Sequence, residues 1–247
     1  LVVLTCVFFA AMPHIFDSVI LAPCKSDFIL YRWLAELPGS TLLPDSATDT
    51  HDIELINIRL ASQFFIHMST SFWLAVVLGF PFCVYLLWGF IAPGLYEEEK
   101  RGMRTAFIFG NMMFFLGVAT GYFIVFPLTL RFLADYQLSA LIPNQISLDS
   151  YMDNFLMLIL VMGIVFELPL VTWLIGKTGF LSRAFFSRYR RHAIVALLIA
   201  AAAITPSGDP FTLMVVFLPL YLLWELSAFT VPHASQPEAV CNVEQPQ

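Results

Sequence analysis

Three consecutive carboxylates, Glu97, Glu98 and Glu99, stand in the polar turn 90-FIAPGLYEEEKRGMR-104 between two long apolar runs. If those runs cross a bilayer, the turn lies at a membrane surface, where anionic headgroups repel carboxylates and favour Lys and Arg. Two chemistries suit the position. The glutamates can occupy the first turn of the next helix, favoured by its dipole, with Glu97 facing Arg101 at i, i+4, or they can bind a cation. Spacing does not separate the two.

The second chemical position is Glu167, in 161-VMGIVFELPLVTW-173, near the middle of an apolar run. An ionised carboxylate at mid-membrane costs at least about 2.5 to 3.5 kcal/mol on insertion scales, so it must be protonated, paired or turned toward a wet cavity. Pro169 removes an amide donor two positions later and frees the carbonyl of Val165, which gathers polar groups at one kink. A neutral glutamate bonded within a helix bundle is the plainer reading. The rarity of such residues in spans favours a functional polar site.

Enzyme signatures are missing. The triplet 176-GKT-178 lacks the first glycine of a phosphate-binding loop, since Val171 stands there. His14, His51, His67, His192 and His233 show no HExxH spacing, and no GxSxG elbow occurs. His67 reads as a packed or interfacial histidine. Cys6, Cys24, Cys83 and Cys241 are scattered without CxxC or Cys/His spacing, so neither a disulfide framework nor a metal site is expected. No catalysis and no cofactor are expected.

The elements that hold these residues follow from composition. Of 247 residues 59% are hydrophobic and 12% charged, against roughly 25% charge in a soluble domain, and the mean hydropathy is +0.81. This is an all-α polytopic membrane protein. A net charge of -6 with no basic stripe argues against nucleic acid. Spans are predicted near 1–12, 64–92, 105–126, 154–175, 193–205 and 210–229, making 1–229 one transmembrane domain of six helices, followed by a disordered tail at 230–247. The run 1-LVVLTCVFFAAM-12 opens without a basic n-region and is short for a span, so the first helix is expected to lack its cytoplasmic half. Pro13, His14, Asp17 and Ser18 set off 15-IFDSVIL-21 as a short interfacial helix, and the loop from 23 to about 63 is expected to be solvent-exposed.

The loops at 97–104 and 176–192 carry Lys100, Arg101, Arg104, Lys177, Arg183, Arg188, Arg190 and Arg191, whereas the others hold only Lys25, Arg32, Arg59 and Arg131. This bias puts the glutamate turn and both termini in the cytoplasm. The fifth span is short. Unless its helix extends back through the arginines, the bilayer must thin around it. Gly117 and Gly121 form a GxxxG pair in the third span, which also carries Gly110, and permit close backbone contact with another helix.

The segment 81-PFCVYLLWGFIAPGLYEEEKR-101 resembles the TatC signature: a proline in the second span, an aromatic-rich cytoplasmic end, then F-x-x-P-x-L-Y and a glutamate. Ala22-Pro23 at the end of the first helix, the F-E-x-P of Phe166, Glu167 and Pro169, and 205-TPSGDPF-211 match in order, over the chain to about residue 229. The resemblance implies a curved, glove-like bundle in the cytoplasmic (inner) membrane. It also implies a twin-arginine translocase subunit that binds twin-arginine signal peptides of folded cargo and moves the cargo by the proton motive force. The implied partners are single-span TatA-like and TatB-like proteins, other TatC copies and membrane lipids.

By position in the motifs, Glu99 matches the glutamate that meets the signal arginine, with Phe90, Pro93 and Leu95 shaping the adjoining surface. Glu167 matches the intramembrane glutamate and Asp209 the acidic residue of the last periplasmic turn. The family's N-terminal cytoplasmic segment with a second glutamate does not appear in the sequence. Where many members carry a glutamine, Thr212, Leu213 and Met214 stand, leaving Thr205 and Thr212 as lipid-facing contacts for a partner helix. The reading from another class is a proton-coupled small-solute transporter with Glu167 as proton carrier, which would require repeated halves with broken helices.

Overall fold

The computed structural model describes residues 1–35, 52–91, 97–136, 144–177, 183–205 and 208–230. Its helices follow the apolar runs because only a helix satisfies its own backbone in lipid. They are α1 (Val2–Ile15), α2 (Ile29–Ala35), α3 (Ser62–Ile91), α4 (Glu97–Thr120), α5 (Phe126–Asp135), α6 (Leu148–Val165), α7 (Leu168–Lys177), α8 (Arg183–Ile204) and α9 (Pro210–Thr230). Among the described residues, five stretches are long and apolar enough to cross a membrane: Val2–Trp33, Ser62–Phe90, Arg104–Asp135, Leu148–Gly176 and Pro210–Phe229. The chain is an integral membrane protein. The tail beyond Thr230 lies outside the described residues.

The separate interfacial helix expected at 15–21 is not formed. Instead α1 runs through Pro13 into a π-type turn at Phe16–Ile20 and then a 3-10 turn at Ala22–Cys24. Proline normally breaks a helix by deleting the bond to the carbonyl four residues back, here that of Phe9. His67 of α3 fills the vacancy: its Nε2 lies 2.8 Å from the Phe9 carbonyl oxygen. The two rings stack at 4.1 Å. In the π-type turn, carbonyls of Val19 and Ile20 accept from the hydroxyls of Tyr122, at 2.7 Å, and Tyr151.

The segment after α1 is also more ordered than an exposed loop. Pro23, Cys24 and Phe28 are buried, and the Tyr31 hydroxyl donates to the carbonyls of Pro23 and Pro127, each at 3.1 Å. The Arg131 guanidinium lies over the Tyr31 ring, 4.6 Å from its centre. Asp52 accepts the Ser26 amide at 2.9 Å, which holds its carboxyl below the ordinary value. A short parallel pair, β1 (Leu55–Ile56) with β2 (Ile146–Ser147), joins the approaches to α3 and α6. Ser62 at the start of α3 donates to Asp149 at the start of α6.

The core lies where α4 crosses α6. Its tightness comes from glycine: a Cβ at Gly117 would stand 2.5 Å from the Met162 carbonyl oxygen, and one at Gly121 would stand 3.1 Å from the Ile159 Cα. From the other side, a Cβ at Gly163 would meet Phe114 at 2.9 Å. Small residues let helix backbones approach where no hydrophobic driving force exists between them. Phe114, Tyr151, Leu158 and Met162 are all but inaccessible there, and Phe80 of α3 stacks on Phe114 at 3.6 Å.

The fifth predicted span, at 193–205, is longer than its apolar run. Arginines are good helix formers, and α8 continues through them to Arg183.

Candidate functional site

The glutamate turn is set by two helix ends. α3 closes at Ile91, and α4 opens at Glu97, so the three glutamates form the first turn of α4. There the unpaired amides and the dipole favour carboxylates. Pro93 and Leu95 lie outside the described residues, as do the side chains of Glu97, Glu98 and Glu99. Phe90 is described and is 84% exposed, a large aromatic left without cover at the end of α3. Immediately on the membrane side, between α3 and α4, runs a groove of about 980 Å³ lined by Pro81, Tyr85, Trp88, Phe107, Asn111 and Arg104. Trp88 and Phe107 meet edge-on at 5.4 Å within it.

Glu167 occupies a break between two helices. α6 ends at Val165 and α7 begins at Leu168 because Pro169 cannot donate into a continuous ladder. The Glu167 amide donates to Ile164 O at 3.1 Å, and its carbonyl accepts from Val171 N at 3.0 Å. Its half-buried side chain reaches across to α4, where Gly110 leaves the room. A Cβ at 110 would come within 2.9 Å of Glu167 Oε2 and 2.5 Å of Leu170 Cδ2. Oε1 is buried and has no hydrogen-bond partner among the described residues. A carboxyl oxygen in that state is a polar site with unused capacity.

The last turn behaves differently from the sequence expectation. Asp209 caps α9: its Oδ2 accepts the Thr212 amide at 2.7 Å, ahead of Pro210 at the first helical position. Gly208 takes φ 61°, which an L side chain resists. Thr205 and Thr212, expected to face lipid, are turned inward, at 4% and 0% exposure. Thr205 bonds back to Ala201 O at 3.0 Å. The cause is packing: α9 sets Thr212 and Val216 inward, with Met214 and Leu218 outward. The outward-facing residues here include Ala202, Met214, Leu218 and Leu222.

The site features that sequence reasoning missed are supports. Gly110, noted only as one glycine in a span, is the cradle for Glu167. His67, read as packed, carries the bond that Pro13 deletes. Their signals, a glycine facing a buried acid and a histidine facing a proline kink, need the pairing of helices to be known.

Comparison with known proteins agrees with this arrangement. The profile of the Sec-independent protein translocase protein TatC matches residues 1–219. The TatC of Blattabacterium sp. subsp. Periplaneta americana is 35% identical over 218 residues, 87% of this chain and 81% of that protein. The TatC of Deinococcus radiodurans is 32% identical over 193 residues, covering 78% and 71%. A crystal structure of the twin-arginine translocase receptor TatC superposes with a TM-score of 0.63 at 27% identity, covering 93% of each chain. A second, in the detergent DDM, gives 0.64 at the same identity and covers 94% of this chain and 96% of that one. A chain with this helix order, a broken helix at Glu167 and an acidic turn after Phe90 thus belongs to the TatC family of Sec-independent protein translocases.

Proposed function

We propose that this chain receives twin-arginine signal peptides at the turn between α3 and α4 and, with TatA-like and TatB-like single-span partners and other copies of itself, passes folded cargo across the cytoplasmic membrane using the proton motive force. Both termini and the glutamate turn lie on the cytoplasmic side. Glu99 accepts the guanidinium, while Phe90, Pro93 and Leu95 form the apolar edge beside it. The observation that carries this reading is Phe90, an aromatic left 84% exposed at the end of α3, with α4 opening on the three glutamates a short turn later in the chain. An apolar wall next to carboxylates suits a flat, weakly hydrated guanidinium better than an ammonium.

The test is binding of a twin-arginine peptide and a twin-lysine peptide to the full-length protein in nanodiscs. Preference for arginine supports the assignment; equal binding of the two removes it. Copurification of TatA-like and TatB-like proteins tests the partners separately.

A further inference from the structure

Among the described residues, the cytoplasmic end of α8 carries more arginines than acidic side chains pair with. Arg183, Arg188, Arg190 and Arg191 fall within its first turns, and its first turn has no acidic residue. Glu225 of α9 is already engaged, accepting Arg190 Nη2 at 2.7 Å and the Tyr221 hydroxyl at 2.9 Å. Arg188 and Arg191 are exposed, and neither makes an ion pair among the described residues. Phe185 and Tyr189, both partly exposed, pack together beside them with ring centres 4.6 Å apart.

Length supplies the second observation. Though α8 has 22 residues, it is not among the stretches apolar enough to cross a membrane. Measured from Ile204 at about 1.5 Å per residue, Arg191 lies about 20 Å and Arg188 about 24 Å along the helix, short of a hydrocarbon core about 30 Å thick. In an undisturbed bilayer both arginines would start below the headgroups.

We propose that Arg188 and Arg191 bind the phosphate of an anionic phospholipid of the cytoplasmic leaflet, drawing the headgroup inward over α8. The guanidinium fork matches a phosphate bidentately. The Phe185–Tyr189 pair sits at the level where amphipathic rings meet the interface. The bound lipid compensates for the missing apolar length of α8.

The experiment titrates the purified full-length chain in a neutral detergent with phosphatidylglycerol and counts retained lipid by native mass spectrometry. Each arginine near a surface contributes about 1 kcal/mol toward anionic lipid, so Arg188→Gln with Arg191→Gln is expected to weaken retention about ten- to thirtyfold. Arg188→Lys with Arg191→Lys, keeping charge but not the fork, should fall between. Arg32→Gln, at an exposed arginine 3.7 Å from Asp27, should change nothing. Both tested side chains are exposed, so their loss leaves the packing intact, and the lysine pair gives a reading even if the glutamine pair folds poorly. Retention by the glutamine pair equal to the parent overturns the proposal, as does displacement of the lipid by glycerol phosphate at matched concentration, which would assign the site to a soluble anion.

Discussion

Glu167 offers hydrogen-bonding capacity that can be tested apart from its charge. The carboxyl sits in a helix break, faces a glycine and keeps one buried oxygen without a partner among the described residues. If it acts as a polar contact rather than as an ion, Glu167→Gln should keep assembly and most transport, whereas Glu167→Ala should impair transport. Export assays on the two variants decide this, and equal loss in both would assign the role to charge. The same geometry makes Gly110 a positioning residue. Gly110→Ala must displace Leu170 or the carboxyl and should reduce export, while Gly89→Ala, with nothing within 4 Å, should not. The chemical identity of Glu167 was legible in the sequence because an acid in an apolar run is costly. Its cradle was not, because nothing in a single span says which glycine of another span it will face.

Pro13 and His67 show how one helix completes another. Removing the imidazole should leave the Phe9 carbonyl unsatisfied at a cost of about 1 to 3 kcal/mol, so His67→Leu should lower the unfolding midpoint in detergent. Pro13→Ala restores an amide that can reach Phe9 within α1, so the double variant should be less damaged than His67→Leu alone. Additive losses would contradict this account. At the α4–α6 crossing, Gly117→Ala places a methyl 2.5 Å from a backbone oxygen, and such overpacking typically costs about 1 to 3 kcal/mol. Thermal melts should show a loss at Gly117 and little change at Gly89. The helices themselves were readable from apolar runs, and the GxxxG pair pointed to the close contact. The continuation of α1 past Pro13 was not readable, because its compensating donor belongs to another helix. The inward turn of Thr205 and Thr212 was hidden for a related reason: a threonine shows its polarity in sequence but not its direction.

At the scale of the molecule, the family match removes the solute-transporter alternative and leaves a translocase subunit with a testable surface at each end. At one end α8 and the capped α9 present Ala202 and Met214 outward, the latter 59% exposed, while Thr212 is covered. Cysteines at Ala202 and Met214 should therefore crosslink to a TatB-like helix, and a cysteine at Thr212 should not. Crosslinks confined to position 212 would place the dock elsewhere. At the other end, the motif around Phe90 was legible because an acidic run at a membrane surface is a local misfit. Spacing alone does not say which of the three glutamates matters, since all three share one helical turn, and only the motif match points to Glu99. On the reading proposed above, a charge-assisted contact of Glu99 with a guanidinium should contribute about 1.5 to 3 kcal/mol rather than the roughly 0 to 1 of an exposed pair. Glu97 and Glu98 should act through their general field, which fades as salt rises. The decisive measurement is twin-arginine peptide affinity for the full-length protein carrying Glu99→Gln, Glu97→Gln or Glu98→Gln singly. Glu99→Gln should lose about ten- to a hundredfold in affinity, persisting in salt, with smaller, salt-sensitive losses for the others; parental affinity in Glu99→Gln would contradict the assignment and leave the glutamates as the first turn of a helix and nothing more.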